Sequence, residues 1–323
     1  MRLFAREMDN ISCDPRGPAN LKLNDMLRDD VPKAGAKILV LGATGLLGNA
    51  VFRSLSSLSG AQIIGTIRKD SSRVLFSREQ AGGLALVEDI ENPDALANLL
   101  RSIGPDVVVN CIAAGRPAPA DPMRSIQVYS VLPRRLAHLC QQSGSRLIQI
   151  SSDGVFSGVR GGYTEDDWPD ANDTYGIAKL LGEVVEPPAI TLRTSIIGHE
   201  LQSKSGLLEW FLSQQERCNC YTKAIFSGFP AIVLADLIRD VVIPRRDLHG
   251  VYHVAARPIS KFHLLQLVAR RYNKSIQLVP DDRPSPNRSL VADRFESATG
   301  YVPPDWPTLV DVMFRDKFGS TRA

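Results

Sequence analysis

From Ile38 the chain reads ILVLGATGLLG: four aliphatic residues run straight into three glycines at 42, 45 and 48. An aliphatic run with no polar alternation suits a strand covered on both faces, which is the condition of a parallel sheet. The stretch that follows, GLLGNAVFRSL, has the spacing of an apolar-faced helix. The same alternation continues through AQIIGTI, LALVE, PDALANLLRSI, DVVVNC, SRLIQIS (145–151) and AITLRTSII (189–197). Parallel strands joined by right-handed helical crossovers give a doubly wound α/β fold, so a parallel sheet of the Rossmann type is expected over residues 36–199. Past residue 200 the rhythm changes to helical LLEWFLSQQ, AIVLADLIRDVVI and ISKFHLLQLVARRY, with strands GVYHVA and SIQLV. Residues 200–318 are therefore expected to form a smaller α/β lobe, with some elements returning to the sheet.

The chain has 323 residues, 44% of them hydrophobic, which is ample for a large core. Its 38 basic and 35 acidic residues nearly cancel, so neither nucleic acid nor a membrane surface is an expected partner. Small polar molecules suit it better. Of the five cysteines, Cys13, Cys111, Cys140, Cys218 and Cys220, only the last two are close, at a spacing that fits neither zinc nor a redox pair. Reduced thiols in a cytoplasmic protein are expected, and no metal-ligand cluster is seen. No window approaches the roughly twenty apolar residues of a membrane span, and MRLFAREMDN lacks the apolar core of an export signal. Residues 1–35 mix charges with Pro and Gly, which suggests a mobile arm outside the fold, or an interface arm.

Placed between a strand and a helix, Gly42, Gly45 and Gly48 can supply a tight turn, close backbone approach and an open helix start. A dinucleotide pyrophosphate needs all three, so Gly42, Thr44, Gly45, Leu46, Leu47 and Gly48 form the candidate phosphate loop. The second strand ends in Thr66-Ile67-Arg68-Lys69, where an acid would suit ribose hydroxyls. Arg68 suits a 2′-phosphate instead, which favours NADPH and leaves NADH open. By position, Asp89 and Ile90 fall at the adenine edge, and Asn110, Cys111 and Ala113 run along the cofactor.

The segment ISSDGVFSG ends a strand at the carboxyl rim of the sheet, and one loop later comes DTYGIAKLLGE. Among seven tyrosines only Tyr175 has Lys four residues on, so Tyr175 and Lys179 share a helix face. With GATGLLG, Tyr163-x-Glu165, Arg193-Thr194-Ser195, RPSPNRSLVADRF and TGYVPPDWP, the chain from Lys37 to about Met313 resembles the extended short-chain dehydrogenase/reductases. Within them it is most similar to the dTDP-4-dehydrorhamnose reductase-like enzymes. The resemblance implies that Ser152, Tyr175 and Lys179 are catalytic. It implies NADPH-dependent reduction of the 4-keto group of a dTDP- or UDP-linked 4-keto-6-deoxyhexose, in the supply of glycan precursors. RTSIIGHEL, SGLLEWFLSQ and SGFP further resemble a branch associated with UDP-linked 2-acetamido-6-deoxyhexoses.

Two positions depart from the pattern: Tyr129 stands where Asn is usual, and Gly154 where reductases often carry Tyr. On the substrate side, Ser152, Asp153, Arg193, Phe226, Gly228, Arg283 and Arg288 are candidates for the sugar, diphosphate and base, each arginine with a structural ion pair as its alternative. His199 is a further candidate contact. Two other functions stay open: an epimerase or dehydratase of the same superfamily, and a non-catalytic cofactor-binding regulatory subunit. A homodimer is also left open.

Overall fold

A computed structural model describes residues 35–114, 121–202, 204–283 and 285–319. The expected arm, apart from its last residue, and Cys13 lie outside the described residues.

The strands are β1 (Lys37–Leu41), β2 (Gln62–Ile67), β3 (Leu84–Leu86), β4 (Val107–Asn110), β5 (Arg146–Ile150) and β6 (Ile190–Arg193), then the short β7 (Ile196–Ile197). They continue with β8 (Arg217–Tyr221), β9 (Ile225–Phe226), β10 (Phe229–Pro230), β11 (Gly250–His253), β12 (Ile259–Ser260) and β13 (Gln277–Asp281). Seven form one sheet in the order β11-β6-β5-β4-β1-β2-β3, every pair parallel. The fold is the expected doubly wound α/β type. Strand order reverses between β1 and β4, and a crevice opens beyond the carboxyl ends of strands at such a switch point.

Alternating side chains divide the core. On β1, Ile38 and Val40 face the glycine-loop helix Leu46–Leu55, while Leu39 and Leu41 face the side covered by helices Pro93–Ile103 and Leu132–Ser143. Those residues are wholly buried, each such side chain contributing about 1.5–3 kcal/mol. Both covering helices end at a glycine with positive φ, Gly104 and Gly144, which turns the chain into the next strand.

The later residues pack onto the first face. One apolar cluster joins Val51, Phe52 and Leu55 to Phe211, Leu234, Leu264 and Met313. Ser54 Oγ donates to Asp236 at 2.6 Å, and Arg53 forks onto Asp316 at 2.8 Å through both terminal nitrogens. β11 extends the sheet beside β6. Arg146, buried at the start of β5, donates to the carbonyls of Val242 and Leu248 and so ties the chain ahead of β11 to the amino end of β5. Among the described residues no helix is long and apolar enough to cross a membrane.

Candidate functional site

The glycine turn sits at the switch point. Gly42 has φ +83°, a region that disfavours side chains, and its N–H donates to Thr66 Oγ1 at 2.9 Å. A Cβ on Gly48 would stand 2.1 Å from the Gly42 carbonyl oxygen, so the helix start and the turn touch backbone to backbone. Gly45 caps the helix with no side chain, leaving its first-turn N–H groups open for an anion. Thr44 and Leu46 are half-buried, Gly45 is exposed, and Leu47 packs inward. This donor set fits a pyrophosphate.

Around it, Arg68 and Lys69 stand exposed after β2 and make no ion pair among the described residues. Asp89 spends Oδ1 on the N–H groups of Glu91 and Asn92, ahead of helix Pro93–Ile103, and Ile90 leans on the core. Asn110, expected by position to run along the cofactor, commits its side chain to the sheet. It is buried, donates to Gln149 Oε1 at 2.8 Å and accepts from Ile112 N–H, so it laces β4 to β5. Cys111 and Ile112 lie against the Gly42 turn, and Ala113 is exposed.

At the same rim Ser152 and Tyr175 converge about Gly154. The point where a Gly154 Cβ would stand is 2.8 Å from Tyr175 Cε1 and 3.1 Å from Ser152 Oγ. Asp173 starts the tyrosine helix Thr174–Leu181 by accepting from Gly176 N–H, and a Cβ on Gly176 would strike the Gly154 carbonyl oxygen at 2.2 Å. The helix therefore lies directly on the turn that carries Ser152. Tyr175 remains 38% exposed.

Lys179 is buried beneath. Its Nζ donates to the Ile150 carbonyl at 3.1 Å and lies 4.7 Å from the Tyr129 ring centroid. Burial lowers its pKa to about 8, against the opposing pull of Cys111 and Glu183. Burial also pushes the Cys111 thiol up to about 12. Tyr129 occupies a single π-helical turn, Gln127–Val131, a feature frequent at functional sites. Its hydroxyl accepts from Ala114 N–H at 3.0 Å and its ring meets Tyr175 edge-on at 5.2 Å. The sequence marked Tyr129 only as a departure; its contact with both Tyr175 and Lys179 joins elements too far apart in the chain to read.

The structure places the substrate-side candidates in different settings. Arg193 is buried, bound to Glu183 through two 2.8 Å hydrogen bonds and lying over Phe156 at 5.2 Å, so its fork is already used. Phe226 packs in the core against Trp306. Gly228 serves close approach, since a Cβ there would lie 1.9 Å from the Ser195 carbonyl oxygen. Arg283 is on the surface, paired with Asp281 and over Tyr221. His199 is held between Glu209 and Tyr272. Arg288 does reach the site: its Nε donates to the Phe156 carbonyl at 2.8 Å and Nη2 lies 3.7 Å from Asp173. Asp153 is raised to about 6 chiefly by burial, although Ser152, Arg288, Lys261 and Ser195 favour its ionised form. Sequence reasoning did not single out Lys261, nor Ser195 within Arg193-Thr194-Ser195, as neighbours of Asp153, because no local spacing encodes that contact.

Among the described residues no cluster of His, Cys, Asp or Glu could hold a metal ion. Residues 36–316 match the family model described as the RmlD substrate binding domain. Methionine adenosyltransferase 2 subunit beta of Danio rerio is 27% identical over 268 residues, 78% of this chain and 79% of that one. The dTDP-4-dehydrorhamnose reductase of Aggregatibacter actinomycetemcomitans is 25% identical over 299 residues, covering 84% and 96%. In structure, the dTDP-4-dehydrorhamnose reductase of Bacillus anthracis, solved in complex with NADP, superposes with a TM-score of 0.72 at 20% identity over 87% of this chain and 99% of that one. Fold, motifs and a family match running from β1 to the last helix agree: the chain belongs to the RmlD substrate binding domain family of the extended short-chain dehydrogenase/reductases.

Proposed function

We propose that the protein reduces the keto group of a nucleotide-linked 4-keto-6-deoxyhexose, dTDP- or UDP-linked, with NADPH preferred over NADH. The observation that carries this reading is the convergence of Ser152 Oγ and the Tyr175 ring at Gly154, on the rim that also holds the glycine turn. The dinucleotide, when bound, supplies the hydride. As negative charge grows on the carbonyl oxygen, a placed donor lowers the barrier, and Tyr175 gives the proton. Ser152 donates a hydrogen bond that orients the same oxygen, and Lys179 brings a positive charge close by. Gly42, Gly45 and Gly48 hold the pyrophosphate, and Arg68 pairs with the 2′-phosphate.

A second reading, a cofactor-binding regulatory subunit, has two supports. One is the similarity to a methionine adenosyltransferase subunit. The other is Tyr129, whose ring covers the Lys179 amine.

Incubation with a panel of dTDP- and UDP-linked 4-keto sugars, following absorbance of the reduced cofactor, separates the readings. Stoichiometric NADPH oxidation, reduced on the order of 10²-fold or more by Tyr175→Phe, is expected of the reductase. An epimerase or dehydratase returns the hydride and oxidises nothing on balance. If cofactor binds and no panel member is consumed, the regulatory reading takes its place.

A further inference from the structure

The Ser152 hydroxyl has one proton, and that proton is already committed. Oγ donates to Asp153 Oδ1 at 3.1 Å while accepting from Gly154 N–H at 3.0 Å. A ligand carbonyl oxygen arriving at Oγ therefore meets lone pairs, since an ionised carboxylate accepts hydrogen bonds and offers none. The Asp153 carboxyl cannot easily turn away. Its own N–H is tied to the Thr194 carbonyl at 3.1 Å, and Ser195 gives the carboxyl a second hydroxyl contact.

Charged groups from two other elements act on this carboxyl. Lys261 comes from the first turn of helix Lys261–Arg271, and Arg288 from the segment ahead of helix Asp293–Thr299. Asp173, the cap of the tyrosine helix, lies 3.7 Å from the same Arg288. Both cations favour the ionised form, yet burial outweighs them, so the group changes charge near neutrality.

We propose that Asp153 is a protonation-dependent positioning residue. As a carboxylate it holds the Ser152 proton; as a carboxylic acid it supplies a proton to the serine oxygens around it and frees the Ser152 hydroxyl to donate to a ligand's carbonyl oxygen. No bond to carbon changes, and the only exchange is of hydrogen-bond donors. A carbonyl ligand then binds with uptake of one proton, and its affinity falls as pH rises through the carboxyl's midpoint, by up to roughly tenfold per pH unit. The ligand half of the proposal rests on reading Ser152 as the carbonyl's donor. The coupling between the two side chains does not.

The test has two arms on the full chain. Carboxyl 13C NMR, with Asp153→Asn for assignment, follows the titration of Asp153 in the wild type, Ser152→Ala and Ser152→Thr. The expected wild-type midpoint is about 6. It should move upward in Ser152→Ala, which removes a donor to the carboxylate, and return toward the wild type in Ser152→Thr. A midpoint indifferent to Ser152→Ala overturns the proposal whatever the protein catalyses. The second arm measures kcat/KM against pH with whichever panel sugar is reduced. A fall above the Asp153 midpoint, absent in Asp153→Asn, is expected, and a fall that persists in Asp153→Asn overturns the proposal. If no sugar is reduced while the NMR arm behaves as expected, the reductase reading fails and the coupling stands.

Discussion

A buried ammonium is costly to keep, and Lys179 is 92% shielded from solvent, its amine against the Ile150 carbonyl and the Tyr129 ring. Its pKa is lowered to about 8, below that of a lysine in the unfolded chain, so folding favours the neutral amine. The sign follows: the stabilising contribution is full above the unfolded value and is lost as pH falls through the folded one. At pH 7 the charged lysine thus costs on the order of 3 kcal/mol. Lys179→Met should raise the melting temperature at pH 7, and the gain should vanish toward pH 10.5, as calorimetry across pH would show. Activity should fall at the same time, the pattern of a site that trades stability for chemistry. Arg193 behaves in the opposite way. Arg193→Met strands the buried Glu183 carboxylate, with Ser151 Oγ still donating at 2.7 Å, and should cost about 3–5 kcal/mol by denaturant unfolding. At this scale the sequence was legible where a motif requires a residue type, as with Tyr175 and Lys179. It was not legible for Arg193, because an arginine that grips a ligand and one that grips Glu183 look alike in a string.

At the scale of elements, β11 shows how an edge strand is pinned. His253 N–H donates to Glu165 at 2.8 Å, and its ring pairs with the Tyr163 carbonyl and lies 3.3 Å from Arg193. Burial, with Arg193 second, lowers its pKa to about 4. A histidine depressed in the folded state stabilises fully above its unfolded value near 6.5 and loses that contribution as pH falls toward 4. The loss amounts to about 3 kcal/mol. His253→Gln should flatten that acid limb, measured as melting temperature between pH 7 and 4. The run GVYHVA was readable as a strand, but its partner β6 was not. Register between β6 and β11 depends on some sixty intervening residues and on contacts such as Glu165 to His253, which no local period encodes. The phosphate turn was the reverse case, since Gly42 and Gly48 answer a local demand. Gly48→Ala should push the helix off the turn and weaken dinucleotide binding at least tenfold by calorimetry, with 1–3 kcal/mol of overpacking cost.

On the scale of the whole molecule, the apolar cluster does not stop at residue 200. Phe52 and Leu55 of the glycine-loop helix share it with Leu234, Leu309 and Val310, and the Ser54–Asp236 and Arg53–Asp316 contacts stitch its rim. Residues 36–199 and 200–318 should therefore unfold in one calorimetric transition, and two resolved transitions would show that they are energetically separate. Arg53→Gln should matter little, at most about 1 kcal/mol, because that pair is partly solvated. Gly154, finally, has neighbours that decide how this site would look to anyone mapping tolerance by mutation. Any larger residue there strikes the Tyr175 ring, so a saturation screen for activity should score position 154 as harshly as the tyrosine itself. The glycine would pass for a reactive group, when its whole contribution is the room it leaves.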